Sequence, residues 1–205
     1  MGGIVWLASY PKSGNTWTRN FLHNLLYPAS GSSHDINKMT ALTTYEIAAQ
    51  WYKDLLPRAV EDCSMDEVAA VRAAAQQKIA DNADGLVFVK THNALGADCG
   101  HPLVNTKVTA GAIYIVRNPL DVAVSYRHHL GTDLEDSILR MGQANHCTRN
   151  FEHVVYELMG TWSQHVLSWT RKEHRALHIM RYEDMRTDPE KVFGALAEFL
   201  LLSPS

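Results

Sequence analysis

Lys12, Ser13, Gly14 and Thr16 fall within one short run, Ser9-Tyr10-Pro11-Lys12-Ser13-Gly14-Asn15-Thr16-Trp17. An amine, two hydroxyls and a glycine so close together suit an anion with several oxygens. The lysine supplies a full charge, the hydroxyls donate, and the glycine lets the backbone approach the ligand. The run joins a short apolar segment, residues 4–8, to a segment of helical spacing beginning at Asn15. It therefore stands at a helix N-terminus, where free N–H groups and the helix dipole favour phosphate. It is not a Walker A loop, which needs a glycine, four residues, then Gly-Lys-Ser/Thr. Here the lysine precedes the glycine and the earlier glycine is missing.

Two further cations follow apolar runs. Leu86-Val87-Phe88-Val89 leads into Lys90-Thr91-His92, and Ile113-Tyr114-Ile115-Val116 leads into Arg117-Asn118-Pro119. If these runs are strands of one open parallel sheet, Lys12, Lys90 and Arg117 meet on the rim where such sheets bind ligands. A magnesium-dependent NTPase places a metal-holding carboxylate after a buried strand. None of these three strands ends in Asp or Glu. The pattern points to a polyanion neutralised by side chains, with no metal. His92 is the histidine on that rim, with a pKa suited to taking a proton near neutrality. His128, His129, His146 and His153 match no zinc spacing, and Cys147 is a lone thiol beside them.

The elements that must position these groups are readable by period. Residues 4–8, 86–89 and 112–116 read as buried strands, and 178–180 as a fourth. Residues 9–14 form a turn. The helix from Asn15 to Leu26 carries Trp17, Phe21 and Leu25 on one stripe. Residues 28–40 read as loop. Ser64 and Glu67 form a capping box ahead of Val68, Val71, Ala75 and Ile79. Asn118 caps a helix with Pro119 at its first position. Residues 151–171 show the longest helical pattern, with Phe151, Val154, Val155, Leu158, Trp162, Val166 and Trp169 inward. Asp188 and Pro189 open a last helix burying Val192, Leu196, Phe199 and Leu200. Strands alternating with helices predict an α/β domain, a central parallel sheet covered on both faces.

Bulk properties narrow the function classes. The 205 residues are 46% hydrophobic and 20% charged, with a formal charge of −3, so no global basic field draws the chain to nucleic acid or membrane. The opening residues carry no basic stretch and only a short apolar run, so neither a membrane span nor a signal peptide is expected in them. Cys63, Cys99 and Cys147 give no disulfide framework, and a cytoplasmic setting is expected.

At this point the chain resembles the cytosolic sulfotransferase family, over nearly its whole length and in the family's order. Tyr10 to Trp17 is similar to the family's 5′-phosphosulfate loop, with Asn15 in place of a usual threonine. Lys90-Thr91-His92 resembles the Lys-x-His that carries the catalytic histidine. The run from Ile115 to Tyr126 resembles the 3′-phosphate motif; Gly160 to Val166 and Arg181 to Met185 match later segments. The resemblance implies a P-loop-like three-layer fold and 3′-phosphoadenosine 5′-phosphosulfate as sulfuryl donor. It implies that Lys12, Ser13, Gly14, Asn15, Thr16 and Trp17 bind the donor, with Arg117 and Ser125 on its 3′-phosphate and Tyr182 near the adenine. His92 then acts as base, Lys12 stabilises the leaving phosphate and Lys90 contacts the transferring sulfonate. The acceptor is a small alcohol or phenol, or an amine, in a pocket drawn from residues 28–60 and 130–150. The family's Arg-Lys-Gly-x-x-Gly-x-Trp-Lys segment has no counterpart here, so residues 1–205 are expected to be one C-terminally truncated domain. The competing readings are a non-catalytic nucleotide-binding remnant and a P-loop kinase.

Overall fold

The computed structural model describes residues 2–26 and 43–202. The loop reading for residues 28–40 lies outside them. Five strands form one parallel sheet: β1 (Gly3–Ser9), β2 (Thr43–Tyr45), β3 (Leu86–Thr91), β6 (Thr109–Val116) and β7 (Leu177–Arg181), in the order β2-β3-β1-β6-β7. A separate two-stranded ribbon, β4 (Ala97–Asp98) with β5 (His101–Pro102), projects between β3 and β6 in the chain. The first strand lies centrally. The chain builds β2 and β3 on one side of it, then crosses to build β6 and β7 on the other. The switch leaves a crevice beyond the carboxyl end of β1, where open parallel sheets take ligands.

The alternation of β1 explains both layers of helix. Ile4, Trp6 and Ala8 face one side and pack with Ile79 and Ala80 of α2 (Met65–Asp81) and Trp169 of α5 (Trp162–Thr170). Val5 and Leu7 face the other side. There they meet Leu22 of α1 (Asn15–Leu26), Met185 of α6 (Tyr182–Thr187), and Phe193 and Leu196 of α7 (Pro189–Leu202). Leu7, Ile113 and Ile115 are 0% exposed; each such burial contributes about 1.5–3 kcal/mol. Beside the sheet, α3 (Pro119–Leu130) and α4 (Leu134–Met141) close a satellite core around Tyr10 and Met159.

The caps read from sequence are formed. The Ser64–Glu67 capping box starts α2. The Asn118 side chain accepts from the Leu120 N–H ahead of Pro119. Asp188 accepts from the Lys191 N–H at the start of α7.

One expectation is corrected. Residues 151–171 are not one helix: only Trp162–Thr170 is helical, and 146–159 form an irregular antiparallel excursion. Its backbone pairs Phe151 with Val154, Thr148 with Glu157, and Met159 with His146. The β-branched and aromatic run Val154-Val155-Tyr156 favours extended backbone. Gly160, at φ 64, ends it, and a capping box from Thr161 to Gln164 starts the helix afresh. Phe151 is accordingly exposed. In α1, the buried residues are Asn15, Thr18, Arg19 and Leu22. Trp17 and Phe21 pack on α7, with ring centroids 5.7 and 4.3 Å from that of Phe193. The side of α1 facing the sheet is polar near its start because it borders the crevice. Among the described residues no helix is long and apolar enough to cross a membrane.

Candidate active site

The loop after β1 has an unusual backbone. Lys12 and Gly14 both have left-handed backbone, at φ 67 and 107; turns of this kind form anion-binding concavities. For a lysine that conformation costs about 1–2 kcal/mol, a cost typical of functional sites. Position 14 must be glycine: a Cβ there would sit 2.7 Å from Cδ2 of Tyr182. Ser13 Oγ is buried without a hydrogen-bond partner. A hydroxyl left so costs about 1–3 kcal/mol unless a ligand meets it. Thr16 is exposed at the first turn of the helix. Asn15 ties the loop back to β1, its Nδ2 donating to the Leu7 carbonyl at 2.9 Å.

Arg117, just past β6, donates from Nη1 to the Lys12 carbonyl at 2.9 Å, while its buried Nε has no partner. Its guanidinium lies 4.2 Å from the Tyr182 ring centroid. The Tyr182 ring meets Trp17 edge-on at 6.1 Å. Thus Lys12, Gly14, Trp17, Arg117 and Tyr182 form one connected group. Ser125 is half-buried on α3, and its side chain makes no hydrogen bond among the described residues that joins it to that group.

A cavity of about 370 Å³ opens beside the loop, lined by Lys12, Asn15, Thr16, Lys90, His92 and Glu157 among others. His92 Nδ1 lies 2.6 Å from the Ser9 carbonyl. A carbonyl only accepts, so Nδ1 carries the proton and Nε2 holds the lone pair. No hydrogen bond among the described residues engages Nε2. Burial, reinforced by the Lys90 charge, pushes the His92 pKa down to about 3. The ring is therefore neutral at pH 7, with its Nε2 lone pair free but held well below the near-neutral pKa expected from sequence.

The sequence reading missed two buried carboxylates. Glu157 Oε1 accepts the His92 backbone N–H at 2.7 Å and lies 3.7 Å from Lys90 Nζ. Burial pushes its pKa up, but Lys90 and the His92 contacts outweigh that and hold it below the usual range. Glu46, fully buried, accepts from Thr91 Oγ1 and from Asn93 Nδ2, and takes Gln76 Nε2 at 2.6 Å. Arg72 Nη1 is 3.9 Å from it. Asn93 Oδ1 in turn accepts the Leu158 N–H at 2.7 Å. This network clamps both sides of His92 into the sheet. Arg72 and Gln76 share the helical stripe of Val68, Ala75 and Ile79, a legible sign that polar groups are buried there.

His165 completes the support. Its Nε2 donates to the His92 carbonyl at 3.1 Å and its Nδ1 accepts from Tyr114 Oη at 2.9 Å. Burial lowers its pKa from 6.5 to about 4. The unfolded chain therefore binds a proton that the native state refuses, and stability falls as pH drops from about 6.5 towards 4. The expected slope is about 1.4 kcal/mol per pH unit for this one group. His165→Gln keeps a donor and an acceptor but does not titrate. Thermal melts at pH 7 and pH 5 should show a smaller acid loss in that variant than in the wild type. Equal losses would mean that His165 is not buried neutral.

Among the described residues no group of three or more His, Cys, Asp or Glu is arranged to hold a metal ion. His146 bonds Tyr126 Oη at 2.9 Å, while His128, His129 and His153 are exposed.

The sulfotransferase domain family model matches residues 4–204. The chain is 28% identical over 200 residues to sulfotransferase 1B1 of Canis lupus familiaris, covering 96% of this chain and 58% of that protein. It is 26% identical over 210 residues to luciferin sulfotransferase of Photinus pyralis, covering 96% of this chain and 50% of that one. The chain thus spans under two thirds of these relatives. Among solved structures, retinol dehydratase in complex with androsterone and the inactive cofactor PAP superposes with TM-score 0.60 at 20% identity, over 98% of this chain and 60% of that one. Mouse sulfotransferase SULT7A1 complexed with PAP gives TM-score 0.56 at 20% identity, over 99% of this chain and 60% of that one. These likenesses establish the P-loop-like α/β fold, a parallel sheet between layers of helix.

Proposed function

The chain belongs to the sulfotransferase domain family, and from that premise we propose that it moves a sulfuryl group from 3′-phosphoadenosine 5′-phosphosulfate to a hydroxyl acceptor. The observation that carries this reading is the joining of base and anion loop. His92 is fixed at 2.6 Å to the carbonyl of Ser9, the last residue of the strand that feeds the Lys12 turn. Proximity of this kind converts two binding events into one oriented encounter. Relatives solved with PAP support the nucleotide.

The residues present fit such a donor. The buried hydroxyl of Ser13 and the buried Nε of Arg117 are donors without a partner among the described residues, and Gly14 lets the Tyr182 ring close against the loop where a Cβ would clash with it. Ser13, the loop N–H groups and Lys12 would hold the 5′-phosphosulfate end. Arg117, with Ser125, would hold the 3′-phosphate, and Trp17 and Tyr182 would flank the base. When bound, the donor supplies a sulfuryl group on a phosphate leaving group. His92 Nε2 takes the acceptor's proton as the acceptor oxygen bonds to sulfur. Lys12 stabilises the charge left on the 5′-phosphate as the sulfur–oxygen bond breaks, and Lys90 balances the sulfonate. Charge is neutralised by these side chains without recourse to a metal.

Arg117 provides the test. A charge-assisted bond to phosphate is worth about 1.5–3 kcal/mol. Arg117→Ala should weaken adenosine 3′,5′-bisphosphate about 10- to 150-fold and AMP much less, measured by calorimetric titration. Equal weakening of both would reduce Arg117 to a prop for the loop. Donor binding without any turnover would favour a non-catalytic nucleotide-binding protein, and magnesium-dependent phosphorylation of an acceptor from ATP would favour a kinase.

A further inference from the structure

The carboxylate of Glu157 is only half used. An ionised carboxylate offers about four lone-pair sites on two oxygens. Both described contacts, the His92 backbone N–H at 2.7 Å and Lys90 at 3.7 Å, go to Oε1. Oε2 takes no hydrogen bond among the described residues, and it is not among the fully enclosed atoms that lack partners. Glu157 is 4% exposed, and that opening is onto the cavity it lines together with His92, Tyr126, Leu130, Thr148 and Met159. The backbone holds it there: its N–H donates to Thr148 Oγ1 at 2.8 Å and its carbonyl accepts from the Thr148 N–H at 2.9 Å.

A charged oxygen aimed into a cavity of this size makes a demand on whatever fills it. An apolar occupant would strip Oε2 of water and return nothing. An occupant with a donor at that point would replace the water and keep the bond. On the reading that Lys90 serves the sulfonate, donor binding draws Lys90 away from Glu157 and sharpens the demand. We infer that Glu157 selects acceptors carrying a second hydrogen-bond-donating group, hydroxyl or ammonium, besides the hydroxyl that receives the sulfuryl group. This inference rests on the sulfotransferase reading of the same cavity. A site that presents an unpaired buried polar group discriminates against isosteres that cannot pair with it far more than a pocket discriminates by size.

Three phenols of nearly equal shape test it: p-propylphenol, p-hydroxyethylphenol and p-aminoethylphenol. Each is titrated calorimetrically into the chain loaded with adenosine 3′,5′-bisphosphate. The hydroxyethyl and aminoethyl phenols should bind on the order of tenfold or more tighter than the propyl one. Glu157→Leu should erase that margin. Glu157→Gln, which keeps an acceptor without the charge, should keep the hydroxyethyl margin and lose any extra tightness for the ammonium. Melting curves check that each variant is folded, and the Gln variant carries the test if the Leu variant is not. Equal affinity of the three phenols for the wild type overturns the inference, as does an unchanged margin in a folded Glu157 variant. Binding of the nucleotide but of none of the phenols sinks the inference alone. Failure of the nucleotide itself to bind sinks the proposed function with it.

Discussion

His92→Ala should lower turnover by about 10²–10⁴-fold, the usual cost of removing a general base, while leaving affinity for adenosine 3′,5′-bisphosphate nearly unchanged. Three features of the structure lead there. The Ser9 carbonyl fixes the tautomer, so the free lone pair is on Nε2. The depressed pKa, about 3, keeps the ring neutral over the whole range in which the protein would be assayed. The backbone on either side is clamped independently of the ring, through Glu157 on the His92 N–H and His165 on its carbonyl. Removing the imidazole should therefore take away the proposed base without releasing the turn. His92→Asn sharpens the test. Its amide can still donate to the Ser9 carbonyl but cannot take a proton, so it should be as slow as the alanine variant. Single-turnover rates with bound donor separate chemistry from binding. If the asparagine variant turns over within a few-fold of wild type, the ring's service is to hold the turn, and the base is elsewhere.

How much of this could be read from the chain follows from how local each signal is. The loop from Tyr10 to Trp17 was legible because a buried strand, a turn and a helix start are set by neighbours in sequence, and the helix begins and ends at the expected Asn15 and Leu26. The strand-end positions of Lys90 and Arg117 were legible for the same reason, although β3 and β6 extend beyond the apolar cores read for them. The three-residue strand β2 left no period to detect. Glu157 was hidden by a false period. The apolar spacing of residues 151–158 fits a helix, yet those residues pair with 146–150 and with Ile47 in extended form. The pairing with Ile47 joins distant parts of the chain, which local spacing cannot reveal. The left-handed backbone of Lys12 was equally invisible, since a lysine carries no local signal for it and the residue that holds its carbonyl, Arg117, lies 105 positions away. What the sequence carried was which residues meet at the sheet's rim. What it lacked was how the rim is braced.

Lys12→Ala should cost about 10²–10³-fold in turnover, the scale seen when one preorganised electrostatic donor is removed from a transition state. Its ammonium charge lines the cavity with Lys90 and His92, and its carbonyl is gripped by Arg117 at 2.9 Å. Because the backbone is held from outside, truncating the side chain should leave the loop in place. Alanine still has a Cβ, so the left-handed φ of 67 at this position remains as strained as before, and Lys12→Gly supplies the control. Glycine relieves that strain, so it should be at least as stable as the wild type by thermal melting and yet as slow as the alanine variant. The charge, rather than the shape of the loop, would then be the catalytic element. Lys12→Arg keeps the charge but changes its reach, and should fall between wild type and alanine. The loss should appear mainly in the chemical step, because charge on the leaving phosphate would grow as the sulfur–oxygen bond breaks, whereas on the proposed reading the ground-state nucleotide would also be held by Ser13, the loop N–H groups and Arg117. A glycine variant that binds adenosine 3′,5′-bisphosphate poorly yet transfers at the wild-type rate once saturated would assign Lys12 to ground-state binding and remove it from the transition state.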